Sequence, residues 1–155
     1  AGGVAPSCGI RREDVMDLPE IGNMSSTHSA NPLVCAAGLA VLNELESRDL
    51  TNDADRKGRI LRSGLEKIQQ LFSERILWIL GEGMIMSILF QDPETGAADA
   101  PFTSRVAERC MQKGLLVVHT GRESIKIGPP LTISDDALLE GISVLLESIE
   151  EVAAE

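Results

Sequence analysis

Hydroxyl side chains are concentrated at Ser25-Ser26-Thr27, shortly ahead of an Asn31-Pro32 step that reads as the start of a helix. Asparagine accepts a hydrogen bond from an orphan first-turn N–H. Proline suits the next position, where its missing N–H has no helical partner. Hydroxyls beside such an N-terminus suit an anion, drawn by free N–H groups and the positive end of the helix dipole. The same residues also describe an ordinary capped loop. Other reactive groups are scattered. Cys8, His28 and His119 hold the elements of a thiol–imidazole pair, and Glu82 with Glu20 or Asp17 those of a carboxylate pair, but no local spacing joins either set. Of the four lysines, Lys57, Lys67 and Lys113 are predicted on polar faces of helices, and Lys126 on a strand beside Gly128-Pro129-Pro130. Three widely spaced cysteines, Cys8, Cys35 and Cys110, fit neither a disulfide framework nor a zinc site and point to reduced thiols. No metal site is expected.

The elements that must position these groups follow from periodicity. Val4–Ile10 reads as a strand and Arg11–Met16 as a helical turn. Pro32 to about Ser47 carries apolar residues at spacings of three and four, a helix with one apolar face. Thr51-Asn52-Asp53 is expected to cap a second helix that turns Ile60, Leu61, Leu65, Ile68 and Leu71 inward. Gly58 and Gly64 lie inside it, each costing roughly 1 kcal/mol relative to Ala, which implies close packing against a neighbour. Then the period changes. Ile76–Leu80 and Met84–Phe90 are apolar runs around Gly81-Glu82-Gly83, a hairpin with a three-residue loop. Asp92–Gly96 is a turn by composition. Pro101–Lys113 reads as a helix burying Phe102, Val106, Cys110 and Met111, ended by Gly114. Leu115–Val118 and Ser124–Ile127 are the third and fourth strands. Ser134 caps a last helix whose stripe is Leu138, Ile142, Leu145, Ile149 and Val152, with Asp135 and Asp136 in its first turn. This order predicts an α/β fold, a small sheet with an antiparallel hairpin covered by helices on one face.

Composition narrows the function. The chain has 155 residues and a formal net charge of −10, which disfavours nucleic-acid binding through a basic surface. After Lys126 there are seven carboxylates and no Lys or Arg; an acidic amphipathic helix accounts for them. Aromatic content of 3% leaves no stacking platform for bases. No apolar run approaches the ~18–20 residues that span a bilayer, and no leader pattern is present, so a cytoplasmic protein is expected. Ala1 followed by a Gly-Gly pair is read as the start of a piece cut from a longer chain.

Ser26-Thr27, then Asn31-Pro32, then the small-residue run Cys35-Ala36-Ala37-Gly38 and the apolar Leu39–Leu42 resemble class III aminotransferases, pyridoxal-phosphate enzymes of the fold type shared with aspartate aminotransferase. Three further stretches resemble that family in order. Leu80–Met86 is similar to its Gly-x-Gly-Leu-Met hairpin, and Gly114-Leu115-Leu116 to its Lys-Gly-Leu-Leu strand start. Ile125–Ile133 is similar to its Arg-x-x-Pro-Pro-Leu segment. The resemblance therefore runs the whole length.

What it implies is specific. Gly2-Gly3-x-x-Pro6 resembles the segment just after the Schiff-base lysine, so that lysine is expected before Ala1, and no catalytic residue in this chain. Ser26 and Thr27 are the implied cofactor-binding residues, Thr27 reaching the phosphate of pyridoxal 5′-phosphate held by a neighbouring subunit. Lys126 stands three residues before the first Pro, where the family carries the arginine that grips the substrate carboxylate. Lysine keeps the charge but loses the planar fork. Residues 1–30 are then a remnant of the large cofactor-binding domain, 31–48 a connecting helix, and 49–155 the C-terminal small domain of a fold-type I enzyme. The intact enzyme is expected to be a homodimer moving an amino group from an amine or amino acid to a 2-oxo acid. This chain, lacking its N-terminal partner segment, is expected to be inactive and to self-associate through uncovered apolar surface. Two other readings stay open, a non-catalytic oligomerisation or regulatory α/β domain, and an aminomutase or racemase using the same cofactor.

Overall fold

A computed structural model describes residues 12–16, 23, 31–119 and 121–155. The chain divides into two compact units, Ala1–Leu50 and Thr51–Glu155.

In the first unit, α1 (Glu13–Met16) is the helical turn expected there; the Val4–Ile10 strand lies outside the described residues. α2 (Pro32–Ser47) starts where the Asn-Pro step places it. Asn31 Oδ1 accepts from Leu33 N at 3.0 Å, and Pro32 takes the first helical position. None of its residues is buried, and Leu33, Leu39 and Leu42 are exposed. Asp49 follows with φ +49°, the left-handed region, and α3 (Leu50–Leu71) begins at the next residue. The expected cap at Thr51-Asn52-Asp53 thus falls inside the helix. Asp53 instead pairs with Arg56 and Lys57 one turn along.

The second unit is built on a four-stranded antiparallel sheet in the order β1-β2-β4-β3: β1 (Ile76–Glu82), β2 (Ile85–Phe90), β3 (Val118–His119) and β4 (Ser124–Ile127). The hairpin is where the sequence puts it, but its turn is Gly83-Met84. Gly81 and Glu82 continue the ladder opposite Met86 and Ile85, and Gly83 at φ +56° supplies the reversal. Helix α3 lies against that turn, because a Cβ on Gly58 would stand 2.6 Å from Gly83 O. The close approach inferred from the two helix glycines is therefore real. At Gly64 the neighbour is the Ile142 side chain. The third strand is shorter than expected: Leu115–Val117 make no ladder, and Val118 pairs with Lys126.

One irregularity shapes β1. Ile76 pairs with Phe90 and Trp78 with Leu89, so Leu77 is an extra residue. Such a bulge shifts the alternation of every residue beyond it.

Helices cover one face. α4 (Ala100–Gln112) is capped by Asp99, whose Oδ1 accepts from Phe102 N at 2.9 Å, and α5 (Asp135–Ala153) by Ser134. Gly114, with φ +87°, ends α4 as expected. Leu61, Leu65 and Ile68 of α3 share one core with Phe102, Val106 and Cys110 of α4, Leu138, Leu145, Ile149 and Val152 of α5, and Met86, Ile88, Phe90 and Ile125 of the sheet. Two residues expected inward are exposed, Leu71 at the last position of α3 and Met111 near the end of α4. Both sit at helix ends. Acidic α5 is matched by cations at the end of α4: Lys113, its C-cap, pairs with Glu147 and Glu151, and Arg109 with Glu151 and Glu155.

Candidate functional site

The sheet face opposite the core is where a chemically distinctive group stands. Strand alternation sends Ile125 into the core, fully buried, and Lys126 outward. Register then sets the neighbours of Lys126: Ser87 lies directly across on β2 and Val118 on β3, while Leu80 of β1 lies across from Ser87. The next row holds Trp78, Leu89 and Ser124. Trp78 and Leu80 are 57% and 50% exposed, and Val118 57%. An ammonium thus projects from a largely apolar surface, and it forms no hydrogen bond or ion pair with any described residue.

At the end of β4, Lys126 and Gly128-Pro129-Pro130 also line an apolar cavity of about 250 Å³ between Leu115–Val118 and α5. Among the described residues, Lys126 is the only titratable one on its wall. Neither the cavity nor the open face brings together, among the described residues, an acid, a base and a nucleophile. What the described residues offer there is a single cation beside apolar side chains.

The other lysines sit elsewhere. Lys67 is exposed on α3. Lys113 is held between Glu147 and Glu151, whose carboxylates raise its pKa. Lys57, expected on a polar helix face, is instead buried, with Nζ on Leu131 O at 3.2 Å and on Asp53 Oδ2. The turn of α3 that carries it faces the 128–131 loop, a tertiary fact that periodicity within the helix does not contain.

Ser26 and Thr27 lie outside the described residues, as do Cys8, His28, Asp17 and Glu20. His119 is in β3 with Nε2 at 3.1 Å from Arg122 O. At the start of α2, Pro32 has no N–H and Leu33 N is already donated to Asn31 Oδ1. Among the described residues no cluster of His, Cys, Asp or Glu is placed to hold a metal ion, and no helix is long and apolar enough to cross a membrane.

Comparison with known proteins identifies the class to which this arrangement belongs. The family model for class-III aminotransferases matches residues 1–149, and the chain belongs to that family. It is 30% identical to ornithine aminotransferase of Emericella nidulans over 98% of its length and 32% of that protein. It is 31% identical to acetylornithine aminotransferase of a Synechocystis species, over 96% of this chain and 33% of the relative. The chain therefore spans about a third of the length of these curated relatives. Among solved structures, acetylornithine aminotransferase from Elizabethkingia anophelis superimposes with a TM-score of 0.76 at 28% identity, covering 89% of this chain and 33% of that one. The antiparallel sheet with helices on one face is the C-terminal small-domain architecture of the fold-type I enzymes. Enzymes of this family depend on pyridoxal phosphate.

Proposed function

We propose that this chain is the C-terminal part of a pyridoxal-phosphate-dependent aminotransferase that moves an amino group from an amine or amino acid to a 2-oxo acid. The observation that carries the reading is Lys126, an ammonium with no partner among the described residues, on the open face of the sheet at the position where the family resemblance places the substrate-carboxylate cation. The cofactor, when bound, supplies the electron sink that amino transfer requires. The part played by this chain is binding and positioning. Lys126 takes the carboxylate of the substrate, the apolar side chains around it exclude water, and Ser26 and Thr27 accept the cofactor phosphate across a homodimer interface. In this division, residues 1–30 belong to the cofactor-binding domain, 31–48 form the connecting helix, and 49–155 are the small domain. The complete enzyme is cytoplasmic. The Schiff-base lysine is supplied from before Ala1, so the chain alone is inactive.

The test is the complete gene product. It should turn yellow with pyridoxal phosphate and aminate a 2-oxo acid, and Lys126→Ala should raise KM for the carboxylate-bearing substrate. A colourless, cofactor-free complete protein would overturn the assignment.

A further inference from the structure

Lysine presents a single compact charge, whereas a carboxylate has two oxygens to satisfy. Arginine meets both with its planar fork; lysine at the same place leaves one to be met by another donor. The register of the sheet names that donor. Ser87 is the direct cross-strand partner of Lys126, and side chains so related project from the same face with Cβ atoms roughly 4.5–5.5 Å apart. Its hydroxyl has no hydrogen-bond partner among the described residues. The other members of that row, Leu80 and Val118, are apolar. Ser87 is also an isolated hydroxyl in an otherwise apolar strand, IMSILF. Ser124 faces the same side but is paired with Leu89, one row away from Lys126.

We infer that Ser87 is a substrate-binding residue, its hydroxyl donating to one carboxylate oxygen while Lys126 holds the other, so that two strands together replace the arginine fork. The inference rests on the reading of Lys126 given above. Apolar neighbours on both ends of the row strengthen a charge-assisted hydrogen bond made there. The arrangement selects substrates by the presence of a carboxylate and leaves the rest of the molecule to other contacts.

The experiment uses the complete gene product loaded with cofactor, a panel of 2-oxo acids, and the matching aldehydes that lack the carboxylate. Ser87→Ala should raise KM for the acids about tenfold, the scale of one hydrogen bond to a charged group, with kcat kept and the aldehydes unaffected. Ser87→Thr, which retains the hydroxyl, should restore the acids, and Ser124→Ala should change neither class. In a Lys126→Arg background the effect of Ser87→Ala should vanish, because the guanidinium then satisfies both oxygens. Calorimetric binding of propanoate, an unreactive carboxylate, should weaken about tenfold in Ser87→Ala, in parallel with KM. If Lys126→Ala penalises the acids but Ser87→Ala does not, or if Ser87→Ala affects aldehydes equally, Ser87 is not a carboxylate ligand and the lysine reading survives. If Lys126→Ala leaves acids and aldehydes alike unchanged, both fall together.

Discussion

Lys57 and Leu131, 74 residues apart, are joined by a hydrogen bond of 3.2 Å from Nζ to the main-chain oxygen. With only 5% of Lys57 exposed, a buried ammonium fastens the middle of α3 to the segment that follows Lys126. The next residue back, Arg56, reaches Asp135 at 2.7 Å in the first turn of α5. The loop between β4 and α5 is thereby held at its midpoint and at its far end by one turn of α3.

Lys57→Met keeps the length of the stem but leaves Leu131 O without its donor. Loss of a buried charge-assisted hydrogen bond should destabilise the protein by about 1–3 kcal/mol, read as a lower urea midpoint. The Ile133 amide, which donates to Pro130 O at 3.0 Å, should exchange with solvent faster. Unchanged protection at Ile133 would mean that the loop holds itself without the lysine.

Gly58→Ala and Gly64→Ala are a matched pair. At Gly58 the new methyl meets the main chain of Gly83 and cannot be accommodated without moving α3 off the hairpin turn. Overpacking of this kind costs about 1–3 kcal/mol. At Gly64 the obstacle is the flexible Ile142 side chain, and the roughly 1 kcal/mol gain in helix propensity offsets much of the strain. Urea denaturation should rank Gly58→Ala well below Gly64→Ala; equal midpoints would refute the close approach.

Acid should weaken the second unit in a defined window. Lys57 and Arg56 hold the Asp53 carboxyl below its ordinary 3.8, Arg56 does the same for Asp135, and Lys113 with Arg109 holds Glu151 below its ordinary 4.5. A carboxylate whose pKa is depressed by folding contributes stability that is complete above the ordinary value and lost as pH falls through the depressed one. The urea midpoint should therefore be flat near neutrality, then drop from about pH 4.5 downward, and Lys57→Met should shrink the drop. A midpoint that holds steady through pH 3 would show that these pairs contribute nothing.

The two described thiols should differ in reactivity. Cys35 is exposed on α2, whereas Cys110 is buried in the core, and burial pushes its pKa above the ordinary 9.0. Iodoacetamide at pH 8, followed by peptide mass spectrometry, should modify Cys35 in the native protein and Cys110 only after denaturant is added. Comparable native labelling would mean that the core around Cys110 opens readily.

Features whose physics is local were legible in the sequence. The Asn31-Pro32 start, the Ser134 cap and the Gly114 stop each depend on a few adjacent residues, and each is found in place. Features decided by distant partners were not. Lys57 looks like a surface residue until the 128–131 loop is laid over it. Leu115–Val117 read as strand by composition, yet the ladder with β4 reaches only Val118 and His119. Gly81-Glu82-Gly83 has turn chemistry throughout, but pairing against Met86 and Ile85 draws its first two residues into β1. At the candidate site, Lys126 stood out only through its resemblance to a family motif. Ser87 gave no signal of its own, since its place beside Lys126 comes from the register between β2 and β4.

The extra residue at Leu77 reaches further than its own backbone. Counted from Ile76, uninterrupted alternation would point the indole of Trp78, the protein's single tryptophan, toward the helices. Adding one position reverses the parity of the strand, so the ring emerges on the same side as the lysine. Intrinsic emission from this protein accordingly reports on what approaches that surface, and is nearly blind to the packing behind it.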